Sequence, residues 1–469
     1  MGRQMKACTS IFVVVAMIAI GCGGGSTGTV PPAVHNEWTW MAGADTVNQL
    51  GIYGTQGTAA RSNTPGARVY ASTWTDTAGS FWLFGGYGAA SAGMQGDLND
   101  LWEYSNGEWR WVSGSNVTEQ PGSYGTLGVS SPNNHPGARW IAASWTDASG
   151  NFWLFGGLGI DSAGNRGDLN DLWRYSDGQW AWMSGSNTVA VTGQAGVYGT
   201  EGVPAPGNTP AARVDANSWA DASGNLWLFG GAGRDSTGTL GILNDLWKYS
   251  NGEWTWMSGS NKSDQYGIYG TEGTAPASNA PGARTNSVTW IDTNGNLWLF
   301  GGCGNGANST LTAPPCGLND LWMYSPITNN WTWLSGANFT NEPGMYGTQG
   351  VAAPGNVPGA RWGAVAWIDS AGNAWLFGGD AGPGYDFNDL WKYSNGEWTW
   401  VSGSNQPAQL GTYGTQGVTA PGYVPGARDS AVGWIDRSGN LWLFGGEDTL
   451  SIGRPEGGGK FNDLWEYQP

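Results

Sequence analysis

PGARWIAASWTDASGNFWLFGGLGIDSAGNRGDLNDLWRYSDGQWAWM, residues 136–183, decides the fold. It divides into four short runs rich in aromatic and β-branched residues, 139–145, 152–155, 169–175 and 179–183, with no helical periodicity. Asp147-Ala148-Ser149-Gly150-Asn151 joins the first two runs and Ser176-Asp177-Gly178 the last two, tight connections in which glycine supplies a positive φ. Four antiparallel strands are therefore predicted.

The same unit recurs along the chain. Its Arg falls at Arg68, Arg139, Arg213, Arg284, Arg361 and Arg428, followed each time by Trp-x-Asp, Trp-Leu-Phe-Gly-Gly and Asn-Asp-Leu-Trp-x-Tyr and, after the first five, by Trp-x-Trp. A four-stranded sheet with bulky apolar groups on both faces cannot bury them alone, whereas sheets stacked radially pack each on two neighbours. The first run is built from small residues, such as Ala142-Ala143-Ser144, as a strand crowded near an axis requires. Glu37-Trp38-Thr39-Trp40-Met41 is an orphan fourth run, and Asn462-Asp463-Leu464-Trp465-Glu466-Tyr467 an unpartnered third. A ring lets the first complete the last, removing exposed sheet edges. The expectation is an all-β, six-bladed β-propeller over 37–469, its blades four-stranded and antiparallel, the last closed by the N-terminal strand.

Three features carry a resemblance. The Gly-Gly doublet ending the second run (Gly156-Gly157 here), the aromatic after Asn-Asp-Leu and the Trp of the last run make the repeats resemble the Kelch family and the related central domain of galactose oxidase. These units are roughly 72 residues long, where Kelch units are nearer 50. Most of the excess lies between the fourth run and the next first run, a connection that carries Tyr-Gly-Thr-x-Gly in every unit.

The N-terminus reads as a targeting segment. Arg3 and Lys6 precede an apolar run from Ile11 to Ile20 that is too short for a stable span, so 1–21 is expected to be a signal peptide. Ala19-Ile20-Gly21-Cys22 resembles the bacterial lipobox, which implies lipid attachment at Cys22, with 22–36 a flexible tether. That resemblance implies a bacterial cell envelope, outer membrane or surface, with the lipid as the sole membrane contact. Removing Arg3 and Lys6 leaves 17 basic against 36 acidic residues, a net of −19, which argues against nucleic acid as a partner. Cys303 and Cys316 remain as a pair bracketing one loop; a disulfide is expected there, a reactive dithiol being the alternative.

Function is sought in what the repeats do not share. Residues identical in all six units serve the common geometry, so the six Arg are expected to hold carbonyls or the Asp of Asn-Asp-Leu-Trp, a ligand-facing ring being the alternative. Tyr53, Tyr124, Tyr198, Tyr269, Tyr346 and Tyr413 either anchor the long connections or stack sugars. Trp140, Asp215, Asn286, Trp362 and Asp429 break the symmetry near the mouth of the expected channel and are candidates for ligand contact. Residues 161–168 offer oxygens to calcium but lack the EF-hand spacing, which favours a plain turn.

Enzymatic readings are weaker. His35 and His135 are the only histidines, so no His-rich metal centre or Ser-His-Asp set forms readily, and the galactose oxidase likeness stops at the scaffold. No catalytic residue, metal or cofactor is expected. The sequence points to a monomeric binding or scaffolding module that meets a protein or surface polysaccharide through its long-loop face. A carbohydrate-binding or carboxylate-dependent carbohydrate-active propeller is the alternative.

Overall fold

The computed structural model describes residues 36–190, 193–307, 316–382, 384–448 and 458–469. The expected signal segment, Cys22 and all of the tether but Asn36 lie outside them. Among the described residues every regular element is a strand. In the second unit Ala143–Thr146, Phe152–Phe155, Leu172–Ser176 and Gln179–Ser184 pair antiparallel in that order. Five further sheets repeat this core. Their first strands, Ser72–Thr75, Ala143–Thr146, Asn217–Ala220, Val288–Ile291, Val365–Ile368 and Val432–Ile435, touch in succession, and the last returns to the first. The chain is a β-propeller.

Closure runs through the chain's ends. Glu37–Ala42 pairs antiparallel with Leu464–Gln468, setting Trp38 opposite Tyr467 and Trp40 opposite Trp465. The sixth sheet is thus completed by a strand from the other end of the chain.

Among the described residues the core is divided. Six clusters of buried side chains lie between neighbouring sheets, such as Trp74, Phe84, Phe152, Leu154, Trp173 and Trp180 between the first and second. The first Trp of each Trp-x-Trp fills these wedges, and burying one such ring contributes about 2–3 kcal/mol. Indole N–H groups tie the wedges together: Trp74 Nε1 donates to Trp153 O (3.2 Å), and Trp434 Nε1 to Trp82 O (3.2 Å) across the seam.

The Gly-Gly doublets sit where backbones meet. Gly85 and Gly86 have φ of 64° and 96°, and a Cβ on Gly85 would lie 2.7 Å from the Arg139 carbonyl oxygen of the next unit. Gly86 N–H donates to that same oxygen at 2.9 Å, so a side chain there would wedge two sheets apart.

Two expectations need correction. The first run, expected as one strand over 139–145, is broken: Arg139–Trp140 pairs with Leu158–Ile160, and Ala143–Thr146 starts anew beyond Ile141, whose φ is 51°. The equivalents Tyr70, Asp215, Asn286, Gly363 and Ser430 are also left-handed. The cause is a closed ring of backbone bonds. Tyr70 N–H donates to Ser430 O (3.0 Å), Ile141 to Tyr70 (3.2 Å), Asp215 to Ile141 (3.1 Å), Asn286 to Asp215 (3.2 Å), Gly363 to Asn286 (3.2 Å) and Ser430 to Gly363 (2.8 Å). Forming it twists even a β-branched Ile into a conformation that costs on the order of 1–3 kcal/mol.

The long connection was expected to stand on one face. Much of it instead runs down the outer edge of the following sheet, where Gly57 N–H donates to Trp111 O (2.7 Å), Asn63 Nδ2 to Trp109 O (3.1 Å), and Ala59–Ala60 pairs with Arg110 and Trp109. The outermost strand would otherwise offer unpaired backbone groups to another chain. The hairpins between second and third strands are left as the main elaboration of that face.

A chain shortened to begin at Gly43 is expected to melt at least 10 °C below one beginning at Val34 and to aggregate on heating; scanning calorimetry with light scattering checks this.

Candidate functional site

The repeated polar residues are committed to a buried clasp. In the third unit Arg213 Nη1 and Nη2 donate to Asp245 Oδ1 and Oδ2, both at 2.8 Å. Nη1 also reaches Gly230 O (2.9 Å) and Nε reaches Ala211 O (3.2 Å). Asp245 Oδ2 further accepts the Tyr198 hydroxyl and Trp247 Nε1, each at 2.7 Å. Both charged side chains are 0% exposed. The pattern recurs at Arg68–Asp100, Arg139–Asp171, Arg284–Asp320, Arg361–Asp389 and Arg428–Asp463. Burial works against the Arg213 charge, but the facing carboxylate outweighs it and raises the pKa.

The six Tyr belong to the same clasp. The Tyr198 ring lies 4.9 Å from Trp247 and 5.3 Å, edge-on, from Trp256, the second Trp of Trp-x-Trp. Tyr53, Tyr124, Tyr198 and Tyr269 are 4–5% exposed, with no open face for a sugar; Tyr346 and Tyr413 are half-buried with the same hydroxyl bond to Asp389 and Asp463. Desolvation first, and the nearby carboxylate second, push the Tyr198 phenol up. Ligand stacking on these rings is the reading that the geometry displaces.

The five symmetry breakers occupy two positions rather than one. Asp215 and Asn286 are members of the left-handed ring and line a cavity of about 160 Å³ on the propeller axis, with Tyr70, Ile141, Gly363 and Ser430. Tyr70 reaches across it, its hydroxyl 3.5 Å from Asn286 Nδ2 of the opposite unit. Asp215 Oδ1 is covered and accepts no hydrogen bond. Burial pushes its pKa up to about 7, against a smaller opposing contribution from Asn286.

Trp140, Trp362 and Asp429 sit one residue earlier, at the feet of the hairpins. Trp140 is half-buried, its ring 5.6 Å from Tyr70 and 5.3 Å from Tyr87. Trp362 is half-buried and pairs with Asp380, as Asp429 pairs with Glu447. Asp429, Asp380 and Asp386 bring carboxylate oxygens within 4.8 Å of one another, all three residues buried. Burial raises Asp429 well above the usual range, with the charges of Asp386, Glu447 and Asp380 adding to it; burial takes Asp380 to about 6. Asp380 and Asp386 were not singled out from the sequence. The signal for Asp380 was an acid directly after the Gly-Gly doublet in the fifth and sixth units, where the first four carry Tyr87, Leu158, Ala232 and Cys303; Asp386 had none, since Asp97 and Asp168 hold the same place in the first two units.

The remaining candidates serve the scaffold. Asp161, in the 161–168 loop where a plain turn was favoured over calcium, is 0% exposed and accepts backbone N–H groups of Ala163, Asn165 and Val189 at 2.8–2.9 Å. Cys303 and Cys316 form a disulfide between the second and third strands of the fourth unit. His135 lies in a long connection, bridged to Ser123 and half-buried.

Two outcomes follow. Arg213→Met strands Asp245 and is expected to cost about 3–5 kcal/mol, and Tyr198→Phe about 1.5–3 kcal/mol, by urea unfolding. For Asp215, the raised folded pKa means that its contribution is intact below the ordinary carboxyl value of 3.8 and is lost as pH rises to about 7. Asp215→Asn is therefore expected to melt above the unsubstituted chain at pH 8, the gap closing toward pH 4.

No family model matches the chain, and no curated protein matches it. Among solved structures it is similar to one titled "Structure of YjhT", at 14% identity and a TM-score of 0.49, over 86% of this chain and 95% of that one.

Proposed function

We propose that this chain is an extracytoplasmic, lipid-anchored, Kelch-type six-bladed propeller whose hairpin face binds a protein or surface polysaccharide, without chemistry of its own. One observation carries the reading. The residues shared by all units are consumed by clasps, wedges and rings, whereas the hairpins between second and third strands differ from unit to unit and hold exposed Met94 (75%), Leu240 (60%) and Tyr385 (58%). Exposed apolar side chains on loops of a rigid frame are the usual anchors of recognition. The net charge of −19 after loss of 1–21 favours a neutral or cationic surface.

A carbohydrate ligand is the second reading, favoured by the aromatic trio Tyr70, Tyr87 and Trp140 where hairpin meets axis. The two are separated by affinity capture from the native envelope alongside a glycan array on residues 31–469. The triple variant Met94→Ser, Leu240→Ser, Tyr385→Ser is expected to lose its captured protein partner at least tenfold while melting within about 2 °C of the parent. Reproducible glycan binding that vanishes in Trp140→Ala or Trp362→Ala supports the second reading instead, and retention of the partner by the triple variant refutes the first.

A further inference from the structure

The axial cavity has a chemistry distinct from the hairpin face. Its walls come from all six units, because the left-handed ring turns Tyr70, Ile141, Asp215, Asn286 and Ser430 around one axis, with Gly363 leaving space at the sixth position. Among the described residues that line it, one carboxylate is present and no lysine, arginine or histidine. That carboxylate has an oxygen, Asp215 Oδ1, sealed from solvent and accepting no hydrogen bond. Buried polar atoms are almost always satisfied, so a half-buried carboxylate on the wall of about 160 Å³ of space, with one oxygen covered and unbonded and Asn286 as its one side-chain donor, is short of donors. Such a volume holds about five waters or a molecule of a few heavy atoms.

The donor's identity follows from charge and shape. Calcium takes six to eight oxygens, usually several of them carboxylate. Here a single carboxylate stands among an amide, the three hydroxyls of Tyr70, Ser287 and Ser430, and the apolar faces of Ile141, Ala142 and Ala216. One negative charge matches one positive charge, three neighbouring acceptors match the three donors of an ammonium, and an aromatic face suits a cation's stem.

We propose that the axial cavity binds a primary ammonium group, R–NH3+, with Asp215 as its counter-ion, the Ser430 hydroxyl and the Asn286 side-chain amide beside it, and the Tyr70 ring against its carbon stem. Asp215 and Tyr70 are the titratable groups lining the cavity, and Asp429 lies next along the chain from Ser430 with its charge felt at Tyr70. Because Asp215 must be ionised to serve, binding strengthens as pH rises through about 7.

The probe is methylammonium chloride on the full chain, with tetramethylammonium, sodium and potassium chlorides at equal ionic strength. With two heavy atoms it binds in the millimolar range at best. At pH 8.5 the melting temperature is expected to rise saturably with methylammonium alone, the rise disappearing in Asp215→Asn and at pH 5.5. Asp215→Asn is expected to keep the fold, and its own unliganded melt serves as the control. An equal response to tetramethylammonium, an equal response in Asp215→Asn, or no response leaves a water-filled cavity and overturns the proposal. A saturable, Asp215-dependent response to sodium or potassium overturns it in favour of a metal ion.

Discussion

An arginine that cannot reach water constrains everything else in this molecule. Each of six guanidinium groups is buried at the top of a sheet and must find its partners within the protein. The solution is bidentate pairing with the Asp that opens the third strand, plus carbonyls from the Pro-Gly-Ala-Arg turn and the Gly-Gly doublet. That pairing fixes where the third strand begins relative to the first. The Asp has capacity left, which the Tyr of the long connection and the Trp two residues on fill. A single buried charge thus sets the register of the sheet, the path of the connection around its edge and the placing of two aromatic rings.

Backbone ties extend the same logic between sheets. The Arg139 carbonyl accepts from Gly86 of the preceding unit, and Arg139 N–H donates to Leu98 O at 2.9 Å. The residue that organises its own sheet is therefore also the hinge point to its neighbour. The functional consequence is a division of labour. The clasp and wedge side chains that repeat are held in place, and variation from unit to unit falls to the loops, the hairpins and their feet, and the side chains of the axial ring.

That division explains what could be read from the sequence. The strands, the closing of the ends, the Arg–Asp partnership and the Cys303–Cys316 pair were legible because they rest on pattern and chemistry repeated or paired along the chain. The left-handed ring was not. Asp215, Asn286 and Gly363 tolerate positive φ, but Tyr70 and Ile141 do not advertise it, since the conformation is imposed by the neighbour's carbonyl rather than by local preference. For the same reason Asp215 and Asn286 were grouped with Trp140, Trp362 and Asp429, although one residue of offset sends the first pair to the axis and the others to the hairpins. The approach of Asp380 and Asp386 to Asp429 joins two units and depends on tertiary contact, which single-chain spacing does not encode.

The strand borrowed from the N-terminus has a consequence in time. Trp38 finds Phe377 and Tyr467 only when residues more than three hundred and more than four hundred positions downstream exist, so during synthesis this ribbon emerges early and is housed last. Long-range pairing of this kind carries a large loop-closure entropy and is slow. Until it happens, a tryptophan-rich segment stays exposed, which gives the cell a window in which a chaperone governs how much of the product matures.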